Sequence, residues 1–468
     1  MRSVLQASSG ERTDSDVGIT FYWLSPNKSM TRPLSLRGPS LFLAAVCGPL
    51  HAAELRPLMR DFIGINGHTV QFKPQLYRPV CEKVRDYHPV AWDLEKETSA
   101  PSPFPFAKNK VDWSKVYGSW KDKGWETDAC LMFETIPQAD WKDLEADAKV
   151  YGRSFAKEFG PSGERKLVTS VEIGNEPGKW SDADYTRIFK AMAAGVREGD
   201  SKLKIATCNI TTGPSGGYEK NVGCVGGSPE LYDILNVHSY AQLENWPTWR
   251  RSFPEDPALP HYLKDIDSLC QWRDKNAPGK LVWITEFGYD STTQPQEKSG
   301  DFAKWVGVTD EQQAQWIVRS LLVFSAMPVD RAFIYFFNDE DKASLHASAG
   351  LTRHFQPKPS FHAVAHLYRT LGDFRFSRIV TKEPGKLRVQ EYQHATDPKK
   401  KIWAVWSPTA EVKPTELTLA SVPGKLISAT RMPLAQMEGS PATAKQAADG
   451  SVTVETGTSP VYLLLDSR

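Results

Sequence analysis

Eight short apolar runs, separated for much of the chain by segments of helical periodicity, constrain the fold more than any other feature. The runs are FIGING (62–67), VRDYHPVAW (84–92), DACLMFE (128–134), VTSVEIGN (168–175), LKIATCNI (203–210), ILNVHSY (234–240), KLVWITEFGY (280–289) and RAFIYFFND (331–339). Apolar residues recur every three to four positions over 139–159, 182–198, 261–274, 310–327 and 359–371. Strands that are apolar along their whole length are covered on both faces, and helices between them make their neighbours parallel. Eight such units predict an α/β protein with a closed (β/α)8 TIM barrel over 54–372, the first three crossovers being less regular. The alternative, an open doubly wound sheet, would carry a glycine-rich phosphate turn after its first strand, and GINGHT is a poor one.

From Phe374 the pattern changes to short alternating strands, GKLRVQEYQ, KIWAVWS, TELTL, VTVE and PVYLLLD, broken by Pro, Gly, Asp and Lys. This predicts an antiparallel β-sandwich domain over 373–468. Residues 1–53 read differently again. Arg32 and Arg37, the apolar stretch Leu41 to Leu50 and then Ala52 and Ala53 have the pattern of a secretory signal, with Met30 as its natural start. That stretch is too short to span a bilayer. A secreted or periplasmic protein is therefore expected. Without Cys47, five cysteines remain; Cys208 and Cys224 flank a glycine-rich loop and either bridge it or stay as buried thiols. With 57 Lys and Arg against 56 Asp and Glu, no charge field favours nucleic acid.

In a barrel of this kind catalytic groups gather where the strands end, because the following loops converge on one mouth. Three runs end on polar residues: Asn175-Glu176-Pro177, His238 with Tyr240, and Glu286. Taken alone, Asn-Glu-Pro is also a good helix start. Two carboxylates facing one mouth, however, are what glycosidic bond cleavage needs, one to protonate the leaving oxygen and one to oppose the charge growing at the anomeric carbon. Trp92, Trp180, Trp246 and Trp249 follow strands closely, where a flat ring stacks on a sugar or fills the core.

GNEP, HSY, ITEFGY and the segment GLTRHFQPKPSFHAVAHL resemble clan A glycoside hydrolases, most nearly families 39 and 5, over roughly 54–372. The resemblance implies a retaining glycosidase acting on β-linked polysaccharide or oligosaccharide, with Glu176 as acid/base and Glu286 as nucleophile. It implies that Asn175 holds the sugar 2-hydroxyl, that Tyr240 donates to the nucleophile, and that His238 lines the pocket. Either Arg85 or His88 would supply the basic group of the second strand that orients Glu286. Clan members commonly end the eighth strand with a tryptophan floor; this chain has Phe336, Phe337 and Asn338, so Phe337 is the expected stacking ring. No metal or organic cofactor is required by such chemistry. Arg250 and Arg251 point either to an acidic or sulfated glycan or to ordinary solvated surface. A transglycosylase on the same fold and a non-catalytic carbohydrate-binding barrel remain as alternatives. An esterase does not, since the Gly-x-Ser-x-Gly match at 213–217 lies in the proline- and glycine-rich loop between Cys208 and Cys224 and not on a sharp turn from strand to helix.

Overall fold

A computed structural model describes residues 56–467. The leader, the signal-like segment and Cys47 lie outside the described residues. All eight apolar runs form strands: β1 (Ile63–Asn66), β2 (Lys83–Pro89), β3 (Glu126–Met132), β4 (Ser170–Ile173), β5 (Lys204–Thr211), β6 (Ile234–His238), β7 (Leu281–Phe287) and β8 (Arg331–Ile334). Every neighbouring pair is parallel, and β1–β8 and β4–β5 pairing closes the sheet into a barrel. Ala206, Ile234, Trp283 and Phe333 form a separate buried cluster inside the cylinder, toward the strands' N-terminal ends. That plug leaves the opposite, C-terminal end to the polar side chains.

The helices α1 (Trp113–Lys121), α2 (Leu144–Phe159), α3 (Asp182–Gly199), α4 (Tyr262–Asn276), α5 (Asp310–Ser325) and α6 (Pro359–Leu371) cover the outside. On α2 the buried Ala148, Tyr151, Phe155 and Phe159 recur at three-to-four-residue spacing, as an amphipathic helix on a sheet requires. Asp143 accepts a hydrogen bond from the Ala146 amide, which fixes the start of α2 after the beginning of its periodic segment. Helix α5 is buried on every side from Gln313 to Ser325. The C-terminal domain covers it: Arg319 donates to the Thr409 carbonyl, and the Ser325 and Tyr392 hydroxyls lie 2.9 Å apart.

The C-terminal strands are β9 (Phe374–Glu383), β10 (Leu387–His394), β11 (Lys400–Trp406), β12 (Thr415–Leu419), β13 (Lys425–Arg431), β14 (Ser440–Pro441), β15 (Ala444–Gln446), β16 (Val452–Thr456) and β17 (Val461–Asp466). They pair antiparallel as a six-stranded sheet ordered β9-β10-β11-β17-β13-β14 and a three-stranded sheet ordered β12-β16-β15. Alternation along β11 sorts its side chains: Trp403 and Val405 enter the core between the sheets, while Ile402, Ala404 and Trp406 join the barrel core. Strand β9 escaped the sequence pattern because two register shifts, between Phe376 and Arg378 and between Ile379 and Thr381, break its alternation. Cys208 and Cys224 are not bridged; both are free and buried, as are Cys81, Cys130 and Cys270. Among the described residues, no helix is long and apolar enough to cross a membrane.

Candidate active site

Strand parity decides which side chains reach the mouth. On β2, Arg85 and Tyr87 share one face and point into the cylinder, while Asp86 and His88 point to the helix layer. Arg85 Nη1 donates to Glu286 Oε1 at 3.0 Å and Tyr87 Oη donates to the same oxygen at 2.7 Å. His88 is instead hydrogen-bonded to Tyr117 and Asp93 and stacked on Trp113 with ring centroids 3.8 Å apart. Of the two basic candidates on this strand, Arg85 touches Glu286, and the expectation for His88 is corrected: an odd offset from Arg85 places it on the outer face.

Strand β4 brings Glu172 inward and then turns. Gly174, at φ +84°, occupies the left-handed region that disfavours a side chain, and it swings Asn175 and Glu176 over the mouth. Glu134, at the end of β3, holds that turn: its Oε1 accepts from the amides of Asn175 at 2.8 Å and Glu176 at 3.2 Å. Its Oε2 is buried without a partner among the described residues, and burial pushes the Glu134 carboxyl up to about 7. Beyond Pro177, a Cβ on Gly178 would lie 1.9 Å from the Gly217 carbonyl oxygen, so the loop after β5 seats directly on the Glu176 loop. The buried Lys220 ammonium fastens it by donating to the Trp180 carbonyl.

Glu286 reaches the mouth by breaking the alternation of β7. Trp283 faces the barrel interior and Phe287 packs outward on Phe324 of α5, with ring centroids 5.2 Å apart. Regular alternation would aim Glu286 opposite to Trp283's parity mate Thr285. The register slips between Val237/Ile284 and His238/Glu286, and both Thr285 and Glu286 then face inward partners.

Around Glu286 the electrostatics converge. Burial alone would raise its carboxyl, but the charges of His238 and Arg85 and the hydroxyls of Tyr87 and Tyr240 reverse this and hold it at about 2. Tyr240 Oη donates to Oε2 at 2.8 Å. Arg85, fully buried, also makes a two-pronged contact with Glu172 at 2.8 Å on each arm and donates to the side-chain oxygens of Asn66 and Asn175. His238 Nδ1 lies 2.9 Å from Glu176 Oε1 and 3.6 Å from Glu286 Oε2. Burial pulls the His238 ring down, yet Glu286 and the Glu176 hydrogen bond outweigh it and hold the ring above its ordinary value. One oxygen from each glutamate and a ring nitrogen of His238 all lie within 4.8 Å of one another. That spacing would also suit a metal ion, but Arg85 already places a cation 3.0 Å from Glu286 and Glu176 already bonds the His238 nitrogen nearest it.

The remaining sequence candidates separate. Phe337 is buried in the core, edge-on to Phe72, Tyr77 and Phe336, so it is no stacking floor. The aromatic ring that the end of β8 brings to the site is Tyr335, 6.4 Å from Tyr240 between centroids, joined to Phe336 by a cis peptide. Trp180 is buried against Phe133 and Trp92 lies against Trp113, so both pack in the core and helix layer, which draws in large apolar rings near strand ends. Trp246 is 68 % exposed and Tyr218 63 %, on the loops after β6 and β5. Trp249 is half-buried. Arg250 is exposed and paired with Glu244, whereas Arg251 is buried and paired with Asp290 at 3.0 Å. Asn66, Tyr87, Glu134, Glu172, Tyr335 and His346 were not singled out from sequence. Glu172 could have been, as a lone carboxylate inside an apolar strand.

No family model matches the chain, and no curated protein matches it either. Solved structures do. A family 39 glycoside hydrolase from Bacteroides cellulosilyticus superposes with a TM-score of 0.63 at 16 % identity, covering 88 % of this chain and 81 % of that one. A family 30 subfamily 8 xylanase from Clostridium acetobutylicum gives 0.57 at 11 % identity over 89 % of this chain and 98 % of its own. A family 51 α-L-arabinofuranosidase from Bifidobacterium longum gives 0.56 at 13 % identity, with 88 % and 97 % covered. The chain shares its fold, the closed eight-stranded parallel barrel, with these clan A glycoside hydrolases.

Proposed function

We propose that the protein is a retaining glycoside hydrolase that cleaves β-linked glycans through Glu286 and Glu176. The observation that carries this reading is the approach of the two carboxylates to within 4.8 Å, each at the end of its own strand, with Glu286 held ionised. Retaining glycosidases place their carboxyls about 5–5.5 Å apart, whereas inverting ones leave roughly 6.5–9.5 Å for a water between them. In the first step Glu176 gives its proton to the glycosidic oxygen, the bond from that oxygen to the anomeric carbon breaks, and a Glu286 oxygen forms an ester with that carbon. In the second, Glu176 takes a proton from water, the hydroxide oxygen bonds the anomeric carbon, and Glu286 leaves as carboxylate. His238 bridges the two glutamates, so it holds Glu176 in place while its own charge lowers Glu286. Arg85 donates to Asn175 Oδ1, which leaves the amide Nδ2 as the end offered to the sugar 2-hydroxyl. The signal-like segment before residue 54 fits an exported enzyme meeting glycans outside the cytoplasm.

The test uses purified protein and a panel of aryl β-glycosides. Glu286→Gln should abolish turnover while leaving the protein folded, as read by circular dichroism. Glu176→Ala should lose far more rate on poor leaving groups than on good ones, and proton NMR of the first-formed sugar should show the β anomer. A Glu286→Gln protein of normal rate, or an α product, overturns the reading.

A further inference from the structure

Beside the two glutamates lies a polar side chain that the steps above do not use. His346 sits in the loop that follows β8, between Asp339 and Thr352, and the base of that loop is closed by pairing of Asn338 with Thr352 and Asp339 with Arg353. Its ring stands edge-on to Tyr240, 4.8 Å between centroids, and edge-on to Tyr335 at 5.5 Å. Tyr240 is the residue whose hydroxyl donates to Glu286, so the imidazole forms part of the wall around that carboxylate.

The tautomer of His346 is set by its neighbour. Arg251 Nη2 lies 3.4 Å from His346 Nδ1. A guanidinium only donates and keeps its charge at any working pH, so Nδ1 must offer its lone pair and the ring proton must sit on Nε2. Arg251 cannot turn away from this task. It donates to the Gly288 carbonyl at 2.8 Å, pairs with Asp290 at 3.0 Å, and lies 4.2 Å over the Tyr240 ring. Burial and the Arg251 charge push the ring down to about 4, so it is neutral throughout the range from pH 5 to 8. The half-buried ring thus ends in a fixed neutral donor, Nε2–H, with no partner among the described residues.

We propose that His346 is a substrate-binding residue whose Nε2–H donates to a hydroxyl of the sugar held against Glu286, and that the enzyme's glycan is neutral in that subsite. The second half follows from charge. A sugar carboxylate or sulfate there would call for an unspent cation, whereas Arg251 is already paired with Asp290, Arg85 with Glu172 and Glu286, and His238 with Glu176 and Glu286. The inference rests on the glycosidase reading and adds the chemical class of its sugar.

Two measurements test it. In the first, nitrogen-15 NMR of the labelled full chain reads the His346 ring between pH 5 and 8. The expected result is the Nε2–H tautomer with no titration in that range; a proton on Nδ1, or a midpoint near 6.5, overturns the proposal without touching the catalytic roles of the glutamates. In the second, kcat/KM is compared for neutral aryl β-glycosides, their uronate counterparts and a monodeoxy series. Wild type should favour the neutral sugar and lose about 10-fold on the one deoxy analogue that lacks the partner hydroxyl, the worth of one hydrogen bond. His346→Phe keeps the ring contacts with Tyr240 and Tyr335 but has no donor, so it should lose about 10-fold on the parent and nothing further on that analogue. His346→Gln, which returns an N–H, should recover part of the loss. If His346→Phe lowers every analogue equally, or if uronates are preferred, the proposal fails. If no glycoside is turned over at all, the glycosidase reading fails and takes this one with it.

Discussion

Replacing Arg85 by methionine probes how the site is held. Arg85 has no exposed surface and spends all its donors on Glu172, Glu286, Asn66 and Asn175. Glu172 is fully buried and Glu286 nearly so, so removing the guanidinium leaves two interior carboxylates with His238 as their nearest remaining cation. Breaking a buried pair from one side costs about 3–5 kcal/mol, mostly as the penalty of the charge left behind. Arg85→Met should therefore lose about that much unfolding free energy in urea at pH 7. Adding Glu172→Gln removes one of the stranded charges, so the double variant should regain about 1–3 kcal/mol. The loss should also depend on pH. Arg85 helps hold the folded Glu286 carboxyl at about 2, so its contribution is present above the unfolded carboxylate range and fades only as pH falls toward 2. Without Arg85 the stranded carboxylates take up protons at higher pH, and the gap between wild type and variant should narrow from pH 8 to pH 5. A loss below about 1 kcal/mol, a double variant no more stable than the single, or a gap independent of pH would each refute the reasoning.

Two further outcomes are expected. Tyr240→Phe or Tyr87→Phe removes one hydroxyl from Glu286, a charge-assisted bond worth about 1.5–3 kcal/mol, and should move the acid limb of kcat/KM upward by about 1–2 pH units; an unmoved limb would mean that Glu286 does not set it. Glu134 and Asp128 are both pushed up to about 7 by burial, with Glu172 adding to the rise at Asp128, so the folded state keeps protons that the unfolded chain has already released. Stability should then fall as pH rises from about 4.5 to 7 and level off above. Glu134→Gln should flatten part of that slope in denaturation series across this range, and a slope equal to wild type would contradict it.

The barrel was legible because its cause is periodic. A strand covered on both faces must be apolar throughout, a covering helix must repeat every three to four residues, and both patterns survive in the linear chain. The strand ends of β4, β6 and β7 were legible too, since a polar residue closing an apolar run stands out. Glu172 and Tyr87 were within reach of the same logic, as a carboxylate inside a strand and as the parity mate of Arg85.

Other features depended on contacts between distant parts of the chain. The alternation along VRDYHP sorts Arg85 from His88 but does not say which set faces inward; closure of the cylinder decides that. Glu286 reaches the mouth through a slip of register against β6, which no spacing within ITEFGY reveals. The tryptophans beside the strands look alike in sequence, yet Trp180 is buried on Phe133 while Trp246 stands in solvent, because a large ring goes wherever the loops leave apolar room. The sequence by itself determined the eight barrel strands, five of the six covering helices and two candidate acids, whereas α1 and β9 escaped it. The separation of the two acids, the charges that hold Glu286 ionised and the tautomer of His346 were decided by tertiary structure, since each depends on atoms from strands and loops scattered along the chain meeting within a few ångströms.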